Sequence, residues 1–463
     1  MGKQTIHFNI SERKLLLRLV DVFSILLSLY FVSNWFHFDY FTITPENWTW
    51  VGVLVVYITI FGTVFELYDL QKASRPDKVF ANIVLTVSVT VLFYLLTPFL
   101  TPLLPSNRLQ ILYFYVAIIV ALCLWRLVYV YFITSPRFYK KVLIVGETSN
   151  IETIVNAFKH ADPSYKIVGY INCEQVIQDR VRFHDIVEYP PEALHQVIQE
   201  QSISEIVVAS YNAETITSDI YYDLITLLER GFPIKEYTQV YEDITYRVPV
   251  QFVGKDFYKY FPFSRSNQNK LYLFFHRTFD LILALIGSFL GLLFVPLILI
   301  GNLLGNRGPL FYLQERVGKN GHLFRIIKFR TMVNHAETGG AVWATKNDSR
   351  ITPFGKFLRR SRLDEVPQFL NILMGDMSLI GPRPERPYFV KELSQVIPFY
   401  ETRHIIKPGL TGWAQVNVRY GSSVDDSLLK LQYDLYYIKH RSFFLDFNVM
   451  VKTIGTMVYF RGQ

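Results

Sequence analysis

Four apolar stretches, residues 15–33, 50–68, 79–100 and 109–133, constrain this chain more than any other feature, because each runs for 19 to 25 residues. As an α-helix, a run of that length matches the hydrocarbon thickness of a bilayer, so the first third of the chain is expected to form four transmembrane helices. Lys3, Arg13, Lys14 and Arg18 surround the start of the first stretch as in a signal peptide. Ser33-Asn-Trp-Phe36 offers no small-residue cleavage site, however, and the stretch reads as a retained anchor. Arg18 and Asp21 lie inside it, and snorkelling to the interface is the expected account of both.

The loops set an orientation. Residues 34–49 contain Asp39 and Glu46 but no Lys or Arg, whereas 69–78 carry Lys72, Arg75 and Lys78, and the fourth stretch leads into Arg137, Lys140 and Lys141. The positive-inside rule then places the N-terminus, the second loop and everything beyond residue 137 in the cytoplasm, with Arg108 as a minor dissent and Trp35, Trp48 and Trp50 in an outer aromatic belt. Half of the 463 residues are hydrophobic (51%), and the net charge of +8 is spread beside apolar segments instead of forming one Lys/Arg tract. That distribution suits membrane lipids and an anionic substrate, not nucleic acid. With only Cys123 and Cys173 present, there is neither a disulfide framework nor a cysteine-based metal site.

From residue 141 the pattern changes. Lys141-Val-Leu-Ile-Val-Gly146 and Ile206-Val-Val-Ala-Ser210 read as buried strands, and Ile225 to Gly231 as the end of a helix, which implies a small α/β domain with a parallel sheet. Glu-Thr-Ser-Asn follows Gly146 and no Gly-x-Gly occurs in the chain, so a structural, regulatory or homo-oligomerising role is expected there ahead of dinucleotide binding. Pro-Phe-Ser-Arg-Ser-Asn-Gln-Asn-Lys at 262–270 reads as a polar linker.

Leu281 to Leu304 is a fifth apolar stretch. Lys270, His276 and Arg277 precede it and Arg307, Arg316 and Lys319 follow, which puts both ends on one face, and Pro296 in the middle should break the helix. A re-entrant helix–break–helix hairpin at about 278–304 accommodates both facts, with Gly287, Gly291, Gly301 and Gly305 allowing close packing. The expected fold class is therefore membrane α/β: a four-helix transmembrane bundle (1–137), an α/β domain (138–261), a linker (262–271) and a mainly helical domain with a re-entrant membrane hairpin (272–463).

Within that last part, Arg359-Arg-Ser-Arg-Leu-Asp-Glu-Val-Pro-Gln-Phe-Leu-Asn-Ile-Leu373 gathers three arginines and two adjacent carboxylates ahead of an apolar helical run. Pro367 suits the first turn and Gly375 the stop, so Asp364 and Glu365 fall at a helix N-terminus, where backbone N–H groups and the dipole favour a phosphate. By itself the stretch fits equally an aspartate that caps a helix and a glutamate paired with an arginine. Phe311–Arg316, the turn 318–321 and Leu323–Arg330 read as a hairpin that ends in Lys328 and Arg330, candidates for phosphate contact. Trp413 beside Gly412 fits either a ligand-facing loop or a structural core, and Tyr433 to Phe447 reads as an interfacial amphipathic helix.

Lys328-Phe-Arg-Thr-Met332, Leu363-Asp-Glu-Val-Pro-Gln368, Ser378-Leu-Ile-Gly-Pro-Arg-Pro-Glu385 and Lys407-Pro-Gly-Leu-Thr-Gly-Trp413 occur in that order. Together they resemble the catalytic domain of the bacterial polyprenyl-phosphate phosphoglycosyl transferases, the bacterial sugar transferase family, over about residues 272 to 463. Large members of that family also place four membrane helices and a Rossmann-like module ahead of the catalytic part. The resemblance implies a reaction at the cytoplasmic face of the bacterial inner membrane, early in exopolysaccharide, capsule or O-antigen synthesis. A UDP-sugar, with glucose or galactose expected, would give its sugar 1-phosphate to undecaprenyl phosphate. By the same resemblance Asp364 is the nucleophile, Glu365 a Mg²⁺ ligand and Arg383 a contact for substrate phosphate, with Lys328, Arg330 and Arg359 as further contacts. A membrane-anchored nucleotide-sugar dehydratase or epimerase would need the missing dinucleotide fingerprint. A non-catalytic assembly scaffold would leave the carboxylates and arginines unexplained.

Overall fold

The computed structural model describes residues 10–36, 38–73, 76–133, 139–146, 155, 158, 165–173, 186–209, 216–250, 265–333, 336, 348–418, 421 and 423–458. Lys3, Arg75, Arg137, the Glu147–Asn150 segment and linker residues 262–264, all used above, lie outside them. The chain divides into two compact units, Met1–Thr245 and Tyr246–Gln463.

In the first unit, α1 (Ile10–Trp35), α2 (Trp48–Val64), α3 (Pro76–Leu96) and α4 (Leu109–Val128) correspond to the four apolar stretches. Three end earlier than expected. α3 stops at Leu96, ahead of Pro98, which disfavours helical backbone in the residue before it; α2 stops at Val64, just before Glu66 takes a left-handed φ of 58°; and α4 passes at Val128 into a π-helical turn, Tyr129–Ile133. Ile25, Leu29, Phe41, Leu54, Ile83, Tyr94, Phe114 and Ile118 form the shared core, while Phe23, Val56, Leu92 and Leu124 point outward. An apolar exterior around an apolar core is what a bundle in lipid requires.

Asp21 does not snorkel. It is buried and accepts a 2.6 Å hydrogen bond from Nη2 of Arg126 on α4, because a partner charge inside the bundle lies closer than the interface.

The α/β part of this unit holds five parallel strands, β1 (Lys140–Gly146), β2 (Tyr165–Asn172), β3 (Val187–Tyr189), β4 (Glu205–Ala209) and β5 (Ile234–Glu236), in the order β3-β2-β1-β4-β5. Helices α5 (Leu194–Glu200) and α6 (Ser218–Glu229) contribute Leu194, Val197, Ile220 and Leu224 to the core against Leu143, Val145 and Ile206. The fully buried Val142–Val145 run explains why β1 reads as continuously apolar: both faces of a parallel sheet are covered.

The second unit opens with α7 (Lys270–Gly305), one 36-residue helix that runs on through Pro296. The expected break is absent. Proline removes one donor and crowds the carbonyl of Leu292, which a helix held by packing on both sides of the residue tolerates. Asp280, Ala284, Gly291 and Ile298 are buried along one seam. Gly287 and Gly301 face the rings of Phe369 and Phe354 so closely that a β-carbon would collide with either ring, so the glycines admit side chains of the globular body instead of a second helix. The hairpin β6 (Phe311–Val317) and β7 (Leu323–Phe329) is antiparallel, as its turn implied. There follow α8 (Pro353–Arg360), α9 (Gln368–Met374), β8 (Ser378–Ile380), α10 (Pro387–Val396), β9 (Gly409–Thr411, parallel to β8), α11 (Val424–His440) and α12 (Phe443–Val458).

The expected interfacial helix at 433–447 is two elements. Leu431, Asp434, Leu435, Tyr437 and Ile438 of α11 are buried, and exposed aromatic side chains appear at Phe443, Phe444 and Phe447, in the first turns of α12. Trp413 is structural, its indole N–H donating to the carbonyl of Tyr246.

Candidate active site

Asp364 and Glu365 sit in a single 3₁₀ turn, Leu363–Glu365, between α8 and α9. Thr352 caps α8 by accepting from the N–H of Gly355, and Pro353 supplies a first-turn φ. The chain reverses after α8 at Arg362, whose φ of 60° is left-handed. A non-glycine residue there is held against its preference by about 1 kcal/mol. Pro367 caps α9 and Gly375, at φ 97°, ends it. The N–H groups of Glu365 and Val366 already donate to the carbonyls of Arg362 and Leu363, so the amide cradle expected at this terminus is partly consumed and side chains supply most of the positive charge.

Asn371, fully buried, fixes the turn against the hairpin: its Nδ2 donates to the carbonyl of Arg325 (2.8 Å) and its Oδ1 accepts from the N–H of Ile327 (3.0 Å). That brings Lys328, the next residue of β7, over Glu365. Arg383 arrives from the other side. Its own carbonyl accepts from Arg403 (3.2 Å) and that of Pro384 from Arg316 (3.0 Å), so two well-buried guanidinium groups hold the Pro-Arg-Pro segment from behind. Arg403 is in turn bound to Asp434 (2.7 Å) and the hydroxyl of Tyr400 (2.7 Å).

Three cations converge on the Glu365 carboxylate: Arg383 at 2.8 Å, Arg362 at 3.5 Å and Lys328 at 3.7 Å. Burial alone would raise its pKa, but these charges outweigh burial and hold Glu365 well below the usual carboxylate range. Asp364 goes the other way. Burial first, and then the negative charge of Glu365, push it up to about 6, although Lys328, Arg359 and Arg362 pull against that rise. Its Oδ1 is buried with no hydrogen-bond partner. Burial and Arg383 also lower Lys328, to about 8.

Of the residues singled out from sequence, Asp364, Glu365, Arg383 and Lys328 come together, and Arg359 stands at the rim with its Nε donating to the hydroxyl of Thr331 (2.8 Å). Arg330 does not join them. Its guanidinium donates to the carbonyls of Pro309 (2.8 Å), Met332 (2.9 Å) and Asn306, so it ties loops together instead of facing a substrate. Arg362 was visible in the arginine-rich run but was not singled out. Arg316, Arg403 and Asp434 lie far from the carboxylates in sequence and carried no local signal.

Four cations against two carboxylates leave an excess of positive charge, which suits a diphosphate. The described residues contain no group of three or more His, Cys, Asp or Glu able to hold a metal unaided. Mg²⁺ usually takes one or two carboxylates and completes its shell with water and substrate phosphate, so adjacent carboxylates with one unpartnered buried oxygen fit it.

Residues 271–460 match the model of the bacterial sugar transferase family. The chain is similar to a UDP-N-acetylgalactosamine-undecaprenyl-phosphate N-acetylgalactosaminephosphotransferase of Aeromonas hydrophila, 41% identical over 49% of this chain and 52% of that protein. It is 40% identical to a UDP-glucose:undecaprenyl-phosphate glucose-1-phosphate transferase of Xanthomonas campestris pv. campestris, over 43% of this chain and 40% of that protein. It is also 46% identical to a putative undecaprenyl-phosphate N-acetylgalactosaminyl 1-phosphate transferase of Bacillus subtilis (strain 168), over 30% of this chain and 79% of that protein. The chain thus spans about half or less of the first two relatives and most of the third.

Proposed function

The chain belongs to the bacterial sugar transferase family, and from that premise we propose that it moves a hexose 1-phosphate from a UDP-sugar to undecaprenyl phosphate, releasing UMP, through a phosphosugar carried on Asp364. The observation that carries the reading is the unequal setting of two adjacent carboxylates. Glu365 is saturated by cations, while Asp364 keeps a buried oxygen with no hydrogen bond to blunt it.

In the first half-reaction an Asp364 oxygen attacks the sugar-linked phosphorus. The bond from that phosphorus to the oxygen bridging toward uridine breaks, and UMP leaves with the bridging oxygen and its electron pair. In the second, a phosphate oxygen of the lipid attacks the same phosphorus and Asp364 departs as a carboxylate. Arg383, Lys328 and Arg362 face the charge that shifts onto the departing phosphate, with Arg359 in reserve at the rim. Mg²⁺, held by Glu365 and Asp364, would neutralise diphosphate charge when bound. Dividing the transfer means the two bulky anions need not occupy the site together.

The relatives' names divide between N-acetylgalactosamine and glucose, so a panel of UDP-sugars is the direct test. Purified protein with Mg²⁺ and undecaprenyl phosphate should release UMP from one of them with ping-pong kinetics, and Asp364→Asn should lower the rate at least ~10³-fold. Intersecting initial-rate lines, or an active Asp364→Asn enzyme, would remove the covalent step.

We further propose that the protein lies in the bacterial inner membrane with the transferase unit cytoplasmic and the unbroken α7 lying along the cytoplasmic interface, both its ends on that side. Asp280, immediately before the apolar stretch, accepts from Ser378 and the N–H of Leu379; beyond its far end, Asn306 donates to the carbonyl of Arg330. Both ends of the helix are therefore fastened to the same body. Cysteines placed at Lys270 and Arg307 should both react with an impermeant thiol reagent only after cells are opened; labelling of one from outside would make α7 a crossing.

A further inference from the structure

At the end of the bundle where α1 begins and α4 finishes, three charged residues meet inside aromatic walls. Asp21 and Arg126 are essentially buried and paired, and the Arg18 and Arg126 guanidinium groups lie 5.2 and 5.7 Å from the centre of the Tyr68 ring. Leu17, Tyr129 and Trp125 pack around the ring. One oxygen of Asp21, Oδ2, is bound by Arg126; the other, Oδ1, is buried without a hydrogen-bond partner among the described residues. Against that one bare acceptor stand six bare donors, Nε and Nη1 of Arg126, Nε of Arg18, Nε1 of Trp125 and the hydroxyls of Tyr68 and Tyr129, all buried and without a hydrogen-bond partner. Guanidinium nitrogens left bare in an apolar bundle cost several kcal/mol unless an acceptor reaches them.

We infer that this cluster is a binding site for the phosphodiester of an anionic membrane lipid, with Arg18 and Arg126 as its donors and Tyr68 as its floor. Two guanidinium charges against one carboxylate leave a single positive charge, and a phosphodiester carries a single negative one. Depth argues for a lipid-borne phosphate over a free one. Arg18 lies six residues inside the span Glu12–Trp35 and Arg126 six residues inside Leu109–Phe132, or about 9 Å from either end. Each 24-residue span is about 36 Å long against a core of about 30 Å, so the cluster sits roughly 6 Å below the headgroup boundary. A headgroup drawn inward by two arginines reaches that level while its chains stay in the bilayer. The other described charged residues at this end, Glu12, Arg13, Lys14, Glu66, Asp69 and Lys72, have contacts of their own, Lys72 with Glu66 among them. The site is separate from the transferase centre and stands or falls without it.

Native mass spectrometry of the full chain, delipidated and then supplied with phosphatidylglycerol, diacylglycerol or inorganic phosphate, tests the inference. One phosphatidylglycerol should stay bound under activation that strips diacylglycerol. Arg18→Gln, which leaves the Asp21–Arg126 pair intact, should weaken that binding about tenfold, the loss of one charge-assisted hydrogen bond. The neutral pair Asp21→Asn with Arg126→Gln should weaken it at least as much, and if that double variant fails to fold, Arg18→Gln decides alone. Equal retention of phosphatidylglycerol by the native chain and Arg18→Gln, or no preference over diacylglycerol, would overturn the site. Inorganic phosphate displacing the lipid at millimolar concentration would overturn the lipid as its occupant.

Discussion

The bundle and the transferase unit each bury a carboxylate among an excess of guanidinium groups, and they resolve the imbalance in opposite ways. In the bundle, one oxygen of Asp21 is bound by Arg126, and the bare donors around it, led by the guanidinium nitrogens of Arg126 and Arg18, outnumber its one bare oxygen six to one. In the transferase unit a second carboxylate, Glu365, absorbs Arg383, Arg362 and Lys328, and its neighbour Asp364 is left with a bare oxygen, Oδ1. A surplus of bare donors makes a receptor for an anion, while a bare carboxylate oxygen whose neighbouring cations are held by a second carboxylate makes a nucleophile. One additional acidic residue next in sequence thus converts a binding arrangement into one suited to covalent chemistry.

If that contrast is right, Glu365→Gln should be the most damaging change short of removing Asp364. With the cations no longer committed to residue 365, they would turn to Asp364 and quench it, and we expect UMP release to fall about 10²-fold or more. The pH profile adds a sign. Asp364 titrates near 6, raised by burial and then by the charge of Glu365, and only its deprotonated form can attack, so native activity should fall as the pH drops through about 6. Removing the Glu365 charge lowers the Asp364 pKa, so the acid limb should move to lower pH in Glu365→Gln. An acid limb that stays in place, with activity near native, would mean that Glu365 does not set the state of Asp364.

Much of this was legible before any coordinates. Helix length, strand type and the β6–β7 hairpin follow from local periodicity and turn chemistry, and Asp364, Glu365, Lys328 and Arg383 belong to motifs that lie close to one another once the chain folds. What was not legible depends on partners distant in sequence. Asp21 reads as a snorkelling charge until Arg126, 105 residues away, is placed beside it, and Arg403 is an ordinary basic residue until its hydrogen bond fixes the Arg383 carbonyl. Pro296 shows the converse: a strong local rule for breaking a helix yields where Gly291, Ile298 and Gly301 pack on either side of it.

Arg330 provides the finest test of the contrast, because sequence alone groups it with Lys328 as a phosphate contact while its three backbone carbonyl partners make it structural. A lysine there keeps the charge but loses the planar fork that spans the carbonyls of Pro309, Met332 and Asn306. Arg330→Lys should therefore cost about 2 kcal/mol of stability, seen as a fall of several degrees in apparent melting temperature, and leave KM for the UDP-sugar near native. A phosphate ligand would respond the other way, with melting unchanged and KM raised. The two signatures do not overlap, so one purified variant separates a residue that binds substrate from one that only shapes the protein around it.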